Sequence, residues 1–183
     1  MPKIYPFKGW RFNTNIVGDL SQVIAPPYDI INDADQSALY ERSPYNYVRI
    51  ILNRSAGMGR YSEAAKTFSE WKKNEILIQD TDLSVYLLCQ SFHQAEQQIE
   101  RTGFITKLKI TKLGGEVLPH EQTISKHIND RYNLMKATKA NTGQIFMSYR
   151  DQTRTVESIL EAYEDDIPLV DAVLTGFNID CGV

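Results

Sequence analysis

The sequence predicts an α+β fold, and three observations carry that reading. Residues 61–77 (YSEAAKTFSEWKKNEIL) place Ala64, Ala65, Phe68, Trp71 and Ile76 near helical spacing, an amphipathic helix of about four turns. Two β-rich runs, LSVYLLCQSFH and QIERTGFITKLKI, are separated only by a short polar link and read as a long antiparallel hairpin. Helical and strand patterns also fall in separate blocks, without the regular alternation of a parallel α/β sheet. The expected architecture is a mixed or antiparallel sheet with that hairpin and three to four helices, in one domain spanning 1–183.

The elements follow in order. KIYPFKGWRF contains a short strand around Ile4–Phe7. In VGDLSQVIAPPYDII a strand around Gln22–Ala25 is expected to break at Pro26–Pro27, because proline cannot donate to a ladder. NDADQSALYER reads as a short helix with Asn32 or Asp33 as N-cap, stopped by Pro44. YNYVRIIL alternates and is rich in β-branched residues, which predicts a strand over Tyr47–Leu52. After the hairpin a helix is expected from about Asp130 to Ala140, then a strand in QIFMSY and a helix in TRTVESILEAYE. Two short strands close the chain. AVLTGFNIDCGV is strand-like to its last residue, so the chain is expected to be the N-terminal portion of a longer protein, with the missing half as a partner.

Composition narrows the function classes. Apolar residues make up 42% and charged residues 23%, an ordinary globular balance. A net charge of −3 gives no general drive toward nucleic acid or anionic lipid, so neither is an expected partner. No apolar run approaches the ~20 residues that span a bilayer, and MPKIYPFKGWRF lacks the apolar region of a signal peptide. The two cysteines, Cys89 and Cys181, sit in strand-like surroundings without a CxxC arrangement. They read as small core residues of a reduced, cytoplasmic protein with no zinc site.

Chemistry concentrates in EVLPHEQTISKHINDRYNLMKATKANTGQIF, residues 116–146. His120 and Glu121 begin an HExxH-like pair, but Ile124 stands where the second zinc histidine belongs, so a metalloprotease is excluded. AGMGRY is not a phosphate-binding loop, and Gly57 and Gly59 read as turn residues. There is no GxSxG elbow, and Cys89 has no paired base. The remaining kit suits phosphoryl transfer: Glu121 as general base, His120 beside it, Lys126 and Arg131 to neutralise phosphate, Thr123 and Ser125 as donors. The same residues suit a plain helix start, with Ser125 or Asn129 as cap and Lys126 paired with Asp130. Composition does not decide between the two.

Two further stretches carry the same choice. In APPYDII, Asp29 at a rigid strand end suits substrate or metal as well as a turn. In SPYNYVRI, Arg49 suits a pocket or an exposed strand face, while Tyr28, Tyr45 and Tyr47 read as packing.

PFKGWRFN, VGDLSQVIAPPYDII, SPYNYVRIIL, RTGFITKLKI, VLPHEQTI and KATKANTGQIF occur in that order. The ordered set resembles the N-terminal part of a bacterial and archaeal family catalogued as domain of unknown function 1015. The family is similar in turn to ParB/sulfiredoxin-like kinases of free serine. The resemblance implies a small α+β nucleotide-binding fold and an ATP- or ADP-using kinase with Mg²⁺ and L-serine. LPHEQT would be the catalytic segment, with Glu121 as base and His120 beside it. Lys126 and Arg131 would contact phosphates. Beside these, Thr123 and Asn141 stand as further nucleotide-binding candidates, and Tyr28, Asp29 and Arg49 as substrate-binding candidates. Gln122 stands where an arginine (HERT) is expected in relatives, which removes a charge from the site. The alternative is a non-catalytic nucleotide- or metabolite-binding regulatory domain. A homodimer stays open as a quaternary state.

Overall fold

The amino-terminal dozen residues pair with segments far along the chain and tie distant parts of it together. In the computed structural model, which describes residues 2–94, 96–120, 124–164 and 166–174, β1 (Ile4–Tyr5) and β2 (Trp10–Phe12) lead into a one-turn helix α1 (Thr14–Val17). Gly9, between the two strands, lies so close to Tyr86 that an added Cβ would stand 2.7 Å from the phenol oxygen.

Helix α2 (Asp33–Arg42) starts where the sequence predicts. Asn32 accepts from the Asp35 amide, and the Asp35 carboxylate accepts from the Asn32 amide, a reciprocal cap worth about 1 kcal/mol. A single turn α3 (Val48–Ile51) and the long α4 (Gly59–Lys73) follow. The left-handed Glu75 ends the α4 run, so Ile76 is buried from outside the helix. Next come β3 (Leu77–Gln79), the hairpin β4 (Tyr86–Gln94) and β5 (Gln97–Ile105), β6 (Lys107–Leu108), α5 (Ser125–Thr138) and α6 (Thr155–Glu161). The first amides of α6 donate to the Asp151 carboxylate.

Among the described residues the strands form three separate two-stranded antiparallel ribbons: β1 with β6, β2 with β3, and β4 with β5. The fold is therefore α+β with antiparallel pairing, a long hairpin and four helices of seven residues or more. The core lies on α4. Phe68 and Trp71 pack with Ile50, Ile76 and Leu77, flanked by Phe12, Tyr45 and Tyr47. One turn earlier, Tyr61 and Ala64 meet Leu134 of α5, which fixes α4 against α5. Removing an aromatic such as Trp71 from such a core costs about 3–5 kcal/mol.

Several expectations are corrected. Residues 47–52 are not a strand, because their alternation comes from a buried helical turn. Fully buried Asn46 donates to the carbonyls of Gln22 and Ile24 and accepts from the Val48 amide, which starts α3. The Tyr47 amide goes to Val23 rather than to a ladder. The expected strand at 22–25 is a 3₁₀ turn (Leu20–Gln22) and an irregular segment held by those bonds. Helix α5 begins at Ser125, five residues before the expected start, with Ile124 at the cap position and no side-chain cap from Ser125 or Asn129. Residues 144–149 form no strand; Phe146 lies under Arg101 and Tyr149 against Phe104, so ring contacts replace ladder bonds. Cys89 is exposed on the hairpin rather than buried, since both hairpin faces meet solvent there. Of the expected closing strands, residues 166–174 show none, and 175–183, with Cys181, lie outside the described residues. Among the described residues no helix is long and apolar enough to cross a membrane.

Candidate functional site

Helix α5 carries His127, Asp130, Arg131 and Leu134 at helical spacing, so one stripe faces α4 and the 3₁₀ turn Tyr28–Ile30. Between these three elements opens a cleft of about 420 Å³, lined by Tyr28, Asp29, Arg60, Tyr61, Lys126, His127, Asn129, Asp130 and Asn133. That volume falls within the roughly 300–1,000 Å³ typical of small-molecule sites. Behind Asp130 lies a cavity of about 10 Å³, bounded by Ile50, Ile51, Arg131 and Leu134, space for about one water.

Asp130 is the hub. Its carboxylate accepts from the Tyr61 hydroxyl at 2.9 Å and from the Arg131 Nε at 2.9 Å, and it pairs with Arg60. Burial alone would raise its pKa, but the bonds from Arg131 and Tyr61 and the charges of Arg131 and Arg60 outweigh that and hold it below the usual carboxylate range. Arg131 also donates to the Ile51 carbonyl at 2.9 Å, tying α5 to the end of α3. Its guanidinium stacks 3.6 Å from the centre of the Tyr28 ring. Tyr28 in turn bonds His127, with 2.8 Å between Oη and Nδ1. One line of contacts thus runs from Tyr61 through Asp130, Arg131 and Tyr28 to His127.

The sequence-predicted residues divide. Tyr28, Asp29 and Lys126 line the cleft, and Arg131 braces it from behind. Arg131 spends donors on Asp130 and Ile51, so its position is that of a structural clamp more than an open phosphate contact. Lys126 does not hold Asp130, because Arg60, Tyr61 and Arg131 already do. His120 is exposed in the segment before α5 and does not line the cleft. Glu121 and Thr123 lie outside the described residues. Arg49 is on α3 and turns to Tyr40, donating to its carbonyl at 2.8 Å and stacking on its ring, so it belongs to the α2–α3 packing. Asn141 is exposed beyond the C-terminal end of α5, and the 14-residue helix separates it by about 20 Å from the end that carries Lys126.

Sequence reasoning missed Arg60, Tyr61 and His127. The first two come from α4, seventy positions from Asp130. The signal for His127 was its spacing with Asp130, Arg131 and Leu134, a polar pair continuing the core-facing stripe. Among the described residues no group of three or more His, Cys, Asp or Glu is arranged to hold a metal ion.

A family model described as "Protein of unknown function (DUF1015)" matches residues 4–178. The chain belongs to this family. The match spans every element from β1 to α6, so the cleft and its α4–α5 frame are features of a DUF1015 protein. Comparisons with curated proteins and with solved structures gave no match.

Proposed function

We propose that the cleft binds nucleotide phosphate and that this DUF1015 chain is a nucleotide-dependent small-molecule kinase, with the hydroxyl of free L-serine as acceptor. The observation that carries the reading is the convergence of Tyr28, Asp29, Lys126 and His127 on one cleft of ligand size. Lys126 and His127 supply charge and N–H donors of the kind that phosphate oxygens require. Asn129 and Asn133, one turn apart on α5, offer amides for a sugar or amino-acid group. Asp29 is the cleft carboxylate outside the arginine cluster, and one carboxylate suits a Mg²⁺ ion that arrives with the phosphates. In the transfer, the serine oxygen forms a bond to the terminal phosphorus as the bond to the leaving nucleotide breaks. Glu121 takes the serine proton.

Incubation with ATP or ADP, Mg²⁺ and L-serine should yield phosphoserine, and Glu121→Gln should abolish it while the fold survives. A blank across nucleotides and pH would remove the kinase reading. A specific observation favours a second reading, a nucleotide-binding regulator without turnover: Arg60 and Arg131 are both already engaged by Asp130 rather than aimed at a ligand. Under that reading nucleotides raise the melting temperature, no phosphoserine forms, and Glu121→Gln changes affinity only modestly.

A further inference from the structure

We propose that His127 is an anion contact in the cleft, and that Tyr28 fixes which of its ring nitrogens faces the ligand. The inference rests on the cleft being a phosphate site, and it adds a residue and a proton assignment to that reading.

The geometry is specific. Tyr28 Oη stands 2.8 Å from His127 Nδ1, so one of the two groups must donate. Burial, the largest influence on Tyr28, raises its pKa; Arg131 opposes this, and the acids Asp29 and Asp130 add to it. The phenol therefore keeps its proton and is a competent donor at neutral pH. A neutral imidazole that accepts at Nδ1 carries its own proton on Nε2. His127 lines the cleft, so this tautomer offers an N–H donor to a bound oxygen there. Phosphate oxygens accept such a bond, and an imidazolium would strengthen it.

The orientation of Tyr28 is itself enforced. The Arg131 guanidinium covers its ring at 3.6 Å, and Arg131 is anchored by Asp130 and the Ile51 carbonyl. The Tyr28 and His127 rings sit 5.7 Å apart at 60°, a tilted contact that limits rotation of the imidazole. Tyr28 is thus a positioning residue, and His127 touches the ligand. The chemistry recognised is a phosphate monoester or the terminal group of a polyphosphate, with Lys126 as the accompanying charge.

The experiment uses ¹⁵N-histidine-labelled protein titrated with inorganic pyrophosphate and, separately, with ATP. Neutral His127 should show the Nε2–H tautomer, and pyrophosphate should move its Nε2 resonance. Tyr28→Phe, which keeps the ring under Arg131, should give a tautomer mixture and weaken pyrophosphate binding by about twofold, the factor by which halving the donating tautomer lowers apparent affinity. His127→Gln, which can still donate, should keep more affinity than His127→Leu. A predominant Nδ1–H tautomer overturns the proposal, as does pyrophosphate binding that leaves His127 and the Tyr28→Phe affinity unchanged. If pyrophosphate moves His127 and ATP does not, the anion contact stands and the nucleotide reading falls. If ATP binds while His127 stays silent, the reverse holds.

Discussion

Replacing Asp130 by asparagine tests the brace behind the cleft. The carboxylate accepts from Tyr61 and faces two guanidiniums, with side-chain exposure of 15% for Asp130, 37% for Arg60 and 28% for Arg131. Removing one partner of a fully buried ion pair costs about 3–5 kcal/mol. Both arginines here reach solvent, which screens the charge left behind, so the expected loss is about 2 kcal/mol. For a chain of this size that lowers the melting temperature by about 4–8 °C. The pH dependence has a definite sign. The folded pKa of Asp130 is lowered, so its contribution is complete above the ordinary carboxylate value of about 3.9 and disappears as pH falls through the lower folded value. Urea unfolding of both proteins at pH 7 and at descending acid pH should show a gap that closes in acid. A variant within about 0.5 kcal/mol of the parent at pH 7, or a gap indifferent to acid, would show that the Asp130 charge does not brace α4 against α5.

Three other outcomes are expected. Asn46→Ala removes three bonds from a fully buried position and should cost about 2–4 kcal/mol in urea unfolding, because two carbonyls and an amide lose their partner. Lys139→Gly should stabilise by about 1 kcal/mol in thermal melts, since Lys139 closes α5 at a φ of 56° that glycine adopts without strain. In a Cys181→Ser background, the exposed Cys89 should react with a thiol reagent in the native state as fast as after unfolding; strong native protection would contradict its position on the hairpin.

Elements with sustained periodicity or local punctuation were legible. The Asn32–Asp35 cap, the α4 stripe and the paired β4 and β5 runs each carry their signal within the segment itself. Val48, Arg49 and Ile50 were misread because a single buried helical turn and a short strand share the same apolar alternation. The contacts that decide between them, from Asn46 to Gln22 and Ile24, are tertiary. The site followed the same rule. Lys126, Arg131, Tyr28 and Asp29 could be named from residue type, but Arg60 and Tyr61 join them only once α4 packs on α5 through Ala64 and Leu134. Arg49 looked like a pocket residue because its partner, Tyr40, is supplied by a separate helix.

The amino-terminal ribbon has a consequence for synthesis. Ile4 and Tyr5 pair with Leu108 and Lys107, and Phe7 with Ser84. At about 5–20 residues per second, the first strand waits about 5–20 s for its partner to be made. During that interval the backbone groups of Ile4 and Tyr5 lack their native partners. Nascent chains halted before and after residue 108 should therefore differ sharply in protease sensitivity at the amino terminus, with the early ones dependent on whatever holds unfinished chains apart.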